Sequence, residues 1–102
     1  MNYTPPPLQM RKDFATFILH NLIQEFYYFN DRIIFGDMSE KAVLKKAKDI
    51  LADEQVRLAA LDGCTEAWLD AHIGFGGFLT LSYRVTWKDG DVQRGNAMPV
   101  RK

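Results

Sequence analysis

Few side chains in this 102-residue sequence could carry out nucleophilic or metal chemistry, and they are widely spaced. There is one cysteine, Cys64, and two histidines, His20 and His72. A thiol activated by an imidazole can act as a nucleophile, but Cys64 falls in a predicted turn beside a helix cap, where a cysteine is commonly just buried. The spacings that bind zinc, HExxH and paired cysteines, are absent. We therefore expect no catalytic residue, no metal site and no cofactor.

One glycine-rich segment, Gly74-Phe75-Gly76-Gly77, superficially resembles a phosphate-binding loop. A Walker loop continues into lysine, then serine or threonine, and then a helix. Phe78 and a predicted strand follow here instead. We interpret the segment as a flexible joint, with a hinge that contacts a partner as the alternative. The acidic residues between positions 53 and 70 are interpreted as solvated helix faces, so the sequence predicts that the protein is not an enzyme.

The composition indicates a small soluble domain that acts inside the cell. Hydrophobic residues make up 47% of the chain and charged residues 25%, which is the balance of a folded domain. Thirteen basic residues balance thirteen acidic ones, whereas nucleic-acid-binding proteins usually carry a basic excess. No stretch has the pattern of a signal peptide or a membrane span, and a lone cysteine suits a reducing compartment. We expect a cytoplasmic protein with no membrane partner.

The N-terminal part of the chain is predicted to be an arm followed by a helix. Residues 1–12 contain three consecutive prolines and are expected to form a flexible arm, and residues 13–102 form a single domain. Apolar periodicity predicts helix one over Asp13–Phe29, with Asp13 as its N-cap and Asn30-Asp31 as its terminators. The apolar segment Ile33–Phe35 after it is expected to be an extended connector, a short third strand or a buried loop anchor.

A second helix has the clearest start signal in the sequence. Ser39 is the predicted N-cap, and Glu40 stands in the first turn, where the helix dipole favours a negative charge. The helix either runs on as one long element to Gly63 or kinks near Ala52-Asp53; we favour one long helix. A short third helix, capped by Thr65, is predicted to end near Ile73.

The chain is predicted to close with a β-hairpin from Phe78 to about Val100. Apolar and polar residues alternate strictly over Leu79–Trp87, and Asp89-Gly90 is a favoured type I′ turn. The return strand contains Gly95, where a bulge is expected, and Pro99 confines the end of that strand to an edge or an exit. The predicted fold class is α+β, with two to three N-terminal helices packed on a C-terminal antiparallel hairpin.

The candidate binding surface lies on helix one. Phe17, Tyr27 and Tyr28 fall on its polar side, near His20 and Gln24. If all three aromatic residues were buried, the helix would be a central core element. If they are exposed, they have the composition of protein-interface hot spots. We predict that Phe17, His20, Gln24, Tyr27 and Tyr28 bind a protein partner or a second copy of the chain, and the core alternative stays open.

An alternative surface is basic. Lysines cluster at the start of helix two, and arginines near the C-terminus could extend the patch to nucleic acid. No aromatic residues interleave with them, as a reader of single strands would require. The residues of this alternative surface are Lys41, Lys45, Lys46, Lys48 and Arg94.

Taken together, the sequence favours a small adaptor, inhibitor or modulator of a larger protein over a nucleic-acid-associated accessory factor. The aromatic content, the neutral net charge and the lack of chemical motifs all point the same way. The size also suits an accessory protein of a virus or mobile element that acts on host machinery. No motif is specific enough to assign a family.

Overall fold

The computed structural model describes residues 7–100 and contains two helices followed by a three-stranded antiparallel sheet. The strands pair in the order β1-β2-β3, so each strand lies next to its neighbour along the chain. This arrangement confirms the predicted α+β class and the C-terminal hairpin. The elements are α1 (Pro7–Ile34), α2 (Glu40–Ala59), β1 (Cys64–Ile73), a 3-10 turn (Phe75–Gly77), β2 (Leu79–Trp87) and β3 (Val92–Ala97).

Helix α1 is longer than predicted at both ends. It begins at Pro7 rather than Asp13, which fits the preference for proline in the first turn of a helix. Residues 7–12 are therefore helical, and the rest of the predicted arm lies outside the described residues. Asn30 does not end the helix, because its side chain is buried and bonded to the sheet. The helix continues to Ile34, so a strand near 33–35 was wrong, and the chain turns at Gly36, where φ is +74°.

Helix α2 begins as predicted. The Ser39 side chain accepts a hydrogen bond from the Ala42 amide at 3.1 Å, which pairs one of the free donors at the start of the helix. The helix is continuous through Asp53, as favoured, with Val43, Ala47, Leu51 and Leu58 buried along one stripe. It ends at Ala59, before Gly63, and Gly63 adopts φ +89° in the turn that follows.

The predicted third helix was wrong, because residues 64–73 form strand β1. Thr65 caps no helix; its hydroxyl donates to the Thr86 carbonyl across the sheet at 3.2 Å. Alternate residues of β1 face opposite sides, with Leu69 and Ala71 buried while Trp68 and His72 are exposed. Leu69, Ala71 and Ile73 alternate with polar residues, whereas the cap signal at Thr65 favours a helix. Pairing along the whole of β2 outweighs such a local preference.

The β2–β3 hairpin confirms the predicted strands but not the predicted turn or bulge. Gly90 has φ +89°, whereas Asp89 has a negative φ, so the turn is not type I′. The Gly90 amide donates to the Trp87 carbonyl, and the Trp87 amide donates to the Asp91 carbonyl, both at 2.9 Å. This is a three-residue connection with glycine in the left-handed position. Gly95 pairs in register with Tyr83 without a bulge, and β3 ends at Ala97, before Pro99.

The core lies between the two helices and one face of the sheet. Helix α2 packs mainly on β1, and α1 packs on β2 and on α2. The largest fully buried side chains come from both helices and the sheet: Phe26 of α1, Leu58 of α2, and Leu79, Leu81 and Trp87 of β2. Within residues 7–100, the opposite face of the sheet is not covered by a helix, because both helices pack on the same side. Neither helix in the described part of the chain has an apolar stretch long enough to cross a membrane.

Candidate protein-interaction site on helix α1

The first half of α1 is attached to the β2–β3 hairpin by polar contacts. Lys12 Nζ lies 2.6 Å from an Asp89 carboxylate oxygen and 3.0 Å from one of Asp91. The pKa of Lys12 is raised, chiefly by its hydrogen bonds to these two carboxylates, and the same contact lowers the pKa of Asp89. Gln93 Nε2 donates to the Lys12 carbonyl at 3.1 Å and to the Thr16 hydroxyl at 2.8 Å. These contacts fix how this part of the helix is rotated about its axis.

The second half of α1 is attached to the opposite end of the sheet. The buried Asn30 amide bonds the backbone of Leu79, where β2 begins, and the carbonyl of Pro99, just after β3. Helix α1 therefore runs antiparallel to β2 and is held near both of its ends. These two attachments determine which side of α1 points away from the sheet. The candidate residues lie on that outward side.

That outward side carries large apolar side chains. Phe17 is 60% exposed, Tyr28 54% and Phe35, just beyond the helix, 69%. The Phe14 and Phe17 rings are stacked with centroids 6.5 Å apart. Arg32 lies over both the Tyr28 and Phe35 rings, at 5.2 Å and 5.6 Å from their centroids. Aromatic rings held in this way need little further ordering when a partner covers them. We call this surface the α1 stripe; its residues are Met10, Phe14, Phe17, Asn21, Gln24, Tyr28 and Phe35.

The five predicted partner-binding residues divide into two groups. Phe17, Gln24 and Tyr28 belong to the α1 stripe, where both aromatic residues are more exposed than buried. His20 is also exposed, on the flank of the stripe, while Tyr27 is half-buried on the same flank. The sequence reading missed Met10, Phe14, Asn21 and Phe35. Their spacing of three and four residues along the helix was the available signal.

A groove of about 260 Å³ runs beside the stripe, between α1 and α2. Phe14, Phe17 and Asn21 contribute to it from α1, and Glu54 and Arg57 contribute from α2. One Glu54 carboxylate oxygen is buried without a hydrogen-bond partner, and the other lies 3.7 Å from an Arg57 guanidinium nitrogen. The groove is therefore lined by both apolar and charged side chains, and the Glu54 carboxylate beside it is incompletely paired.

The structure does not bring the alternative basic residues into one patch. Lys41, Lys45 and Lys48 line a shallow pocket on α2 together with Asp49, and the Lys45 ammonium lies 3.7 Å from the Asp49 carboxylate. Lys46 does not line that pocket. Arg94 lies in β3 on the sheet face away from α2, opposite Arg84.

The residues considered for chemistry are likewise separated. Burial raises the pKa of the Cys64 thiol, which makes it a weaker nucleophile at neutral pH. His72 Nδ1 lies 3.0 Å from the Asp70 carboxylate on the exposed sheet face, and His20 lies on α1. Among residues 7–100, no three histidine, cysteine or carboxylate side chains are grouped so as to hold a metal ion. Gly74–Gly77 joins β1 to β2 rather than following a helix, and Phe75 at its tip is 96% exposed.

Comparison with known proteins adds no further constraint. The chain matches no family model, no curated protein and no solved structure. Any functional assignment must therefore start from the geometry of the α1 stripe and the groove beside it.

Proposed function

We propose that this protein is a non-enzymatic, cytoplasmic protein-binding module that acts as an adaptor, inhibitor or modulator by docking the α1 stripe against another polypeptide. The observation that supports this is the arrangement of α1 itself. Hydrogen bonds and ion pairs anchor one side of the helix to the sheet, and four aromatic side chains lie on the other side. Core packing does not require those side chains to be large and apolar.

The stripe has the properties of an interaction surface rather than of scattered exposed residues. Single exposed apolar side chains are normal on a folded protein, whereas contiguous apolar patches mark binding sites. Phe14 stacks on Phe17, and Arg32 joins Tyr28 to Phe35. Aromatic residues and arginine are the types most enriched in binding hot spots. The groove at Glu54 adjoins Phe14 and Phe17 of the stripe and would extend the contact onto α2.

The experiment that tests this function removes the aromatic rings without touching the core. The double variant Phe17→Ala/Tyr28→Ala should keep a melting temperature within a few degrees of the wild type, because both rings are more than half exposed. A partner is first isolated from the native cell with the wild-type protein, and its binding is then confirmed with both proteins purified. The double variant should fail to bind this partner. Phe75→Ala is the matched control, since it removes an exposed ring from the β1–β2 connection.

Two results would count against the proposal. If Phe17→Ala/Tyr28→Ala unfolded the domain, these residues would belong to the core, which is the alternative that the sequence left open. If the double variant bound the purified partner as tightly as the wild type and Phe75→Ala did not, the binding surface would lie at the β1–β2 connection instead.

A further inference from the structure

We infer that the occupant of the α1 stripe is a second copy of this chain, whose own α1 packs against the first in the antiparallel direction. This inference rests on the proposed function and names its partner. It comes from the order of residues along the stripe, which is close to palindromic. An interface related by a two-fold axis needs such an order, because each residue must find its partner on an identical surface.

The stripe follows the heptad spacing of helices that pack side by side. Steps of three and four residues keep a row of side chains on one face of a helix and allow it to mesh with the same row on another helix. The row spans about 38 Å at 1.5 Å per residue, so it uses most of the length of α1. The row consists of the seven residues of the α1 stripe together with the partly exposed Asp31, which lies between Tyr28 and Phe35 at the same spacing.

A two-fold axis placed between Asn21 and Gln24 gives three of the four kinds of layer a partner of matching chemistry. The fourth places Phe14 of one copy beside Asp31 of the other. In antiparallel packing, residue numbers in one layer add to a constant, here 45. Phe17 of one copy then meets Tyr28 of the other, and Met10 meets Phe35. Asn21 meets Gln24 at the centre, where two carboxamides can satisfy each other as donor and acceptor.

The polar centre explains why the register would be unique. A buried amide pair in an otherwise apolar seam costs stability but disfavours every register that leaves the amides unpaired. A parallel arrangement would set the two Asp31 carboxylates side by side, and it would also align the two helix dipoles. The antiparallel arrangement separates those like charges along the seam and opposes the dipoles.

The exposed area is sufficient for a weak to moderate dimer. A large aromatic side chain carries roughly 150–250 Å² of surface, and the five apolar members of the stripe are each about half exposed. They leave roughly 500 Å² per copy to be covered, or roughly 1,000 Å² in a pair, which is near the lower limit for a specific interface. Asn21, Gln24 and the rim of the Glu54 groove would add to this area.

Sedimentation velocity over a concentration series tests the inference directly. Wild-type protein should shift from monomer to dimer as its concentration rises. Phe17→Glu should remain monomeric, because it removes the aromatic contact with Tyr28 from the two layers that flank the central amides and puts a carboxylate into each of them. The matched control, Phe75→Glu, adds the same charge away from the stripe and should dimerise like the wild type. If the wild type is a monomer at every concentration, or if Phe17→Glu dimerises as well as Phe75→Glu does, the inference is wrong.

Cross-linking between single cysteines tests the direction of the helices. In a Cys64→Ser background, Phe14→Cys mixed with Asp31→Cys should give a mixed disulfide dimer, since these positions share a layer. Each variant alone should cross-link poorly, because the two identical positions would be about 25 Å apart along the seam. Strong cross-linking of Phe14→Cys with itself would indicate parallel packing and overturn the antiparallel register.

These outcomes separate the inference from the proposed function. A protein that stays monomeric, yet loses a purified foreign partner through Phe17→Ala/Tyr28→Ala, would retain the proposed function and reject the second copy as occupant. A protein that neither dimerises nor loses any partner through the stripe would reject both.

Discussion

Asn30 and Leu79 exchange two hydrogen bonds in the interior of the protein. Asn30 Nδ2 donates to the Leu79 carbonyl at 3.0 Å, and the Leu79 amide donates to Asn30 Oδ1 at 2.8 Å. The same Nδ2 donates to the Pro99 carbonyl at 2.8 Å, and Asn30 is 0% exposed. One helix side chain therefore bonds the backbone both at the start of β2 and just beyond β3.

Replacing Asn30 should destabilise the whole domain. Asn30→Ala would leave a buried amide and two buried carbonyls without partners, and each such group costs about 1–3 kcal/mol. We expect a loss of about 2–4 kcal/mol in the free energy of unfolding, measured by urea titration with circular dichroism. Asn96→Ala, at an exposed position of β3, should change it by less than about 0.5 kcal/mol. Equal effects of the two substitutions would show that the Asn30 bonds are dispensable.

The Lys12 contact with the hairpin turn should make stability depend on pH. The folded-state pKa of Asp89 is lowered below its ordinary value of 3.8. The stabilisation that Asp89 provides is therefore complete above pH 3.8 and is lost as the pH falls through the folded-state pKa. The folded-state pKa of Lys12 is raised above its ordinary value of 10.5. The stabilisation that Lys12 provides is therefore complete below pH 10.5 and is lost as the pH rises through the folded-state pKa. Both contributions are present at neutral pH.

The variant Lys12→Met tests this dependence, because methionine keeps much of the side-chain volume without the charge. Its urea midpoint should lie below that of the wild type at pH 7. The difference between the two urea midpoints should become smaller as the pH is lowered from 5 towards 2, where Asp89 becomes protonated. A gap of the same size at pH 7 and at pH 2 would mean that Lys12 acts by packing alone.

Gly95 and Tyr83 should be energetically coupled. They are paired across β2 and β3, and a Cβ atom built on Gly95 would lie 2.5 Å from the Tyr83 hydroxyl oxygen and 2.7 Å from the ring carbon that bears it. Gly95→Ala should therefore displace the ring and cost about 1–3 kcal/mol, as overpacking does. In a Tyr83→Ala background the same substitution should cost clearly less. Purely additive effects in this double-mutant cycle, measured by chemical unfolding, would contradict the close approach.

The cap of α2 should make a smaller, local contribution. Ser39→Ala removes the acceptor of the Ala42 amide and should lower the free energy of unfolding by about 1 kcal/mol. Ser39→Asp should restore most of the loss, because a carboxylate also accepts from the first-turn amides and interacts favourably with the helix dipole. If alanine and aspartate gave the same stability, the cap would not be the cause.

Burial of Cys64 should slow its reaction with thiol reagents. Its thiol is partly buried and its pKa is raised by burial, so little thiolate is present at pH 7.5. The rate of alkylation by iodoacetamide, followed by mass spectrometry, should be well below the rate in 6 M urea. A folded protein that reacts as fast as the unfolded chain would place the thiol in solvent and reopen a chemical role for it.

Local signals in the sequence were enough to predict the elements that local physics stabilises. The cap at Ser39 predicted where α2 starts, and the apolar stripe predicted that it continues without a break. Both signals depend on residues within one or two turns of the helix. The alternation over Leu79–Trp87 gave β2 in the same way. The exposure of Phe17 and Tyr28 was one of two alternatives that the sequence left open, since a helix pattern does not reveal how many neighbours the helix has.

Long-range contacts decided the remaining features. Asparagine often ends a helix, but the hydrogen-bond partners of Asn30 are 49 and 69 residues away in the chain. Only the assembled sheet could therefore keep α1 helical through this residue. Residues 64–73 carried both a cap signal and an alternating pattern, and pairing with β2 selected the strand. The outward direction of the α1 stripe follows from the bonds of Lys12 and Asn30 to the sheet. Side-chain pattern within a segment determined most of the secondary structure, whereas hydrogen bonds between distant segments determined which surface the protein leaves exposed.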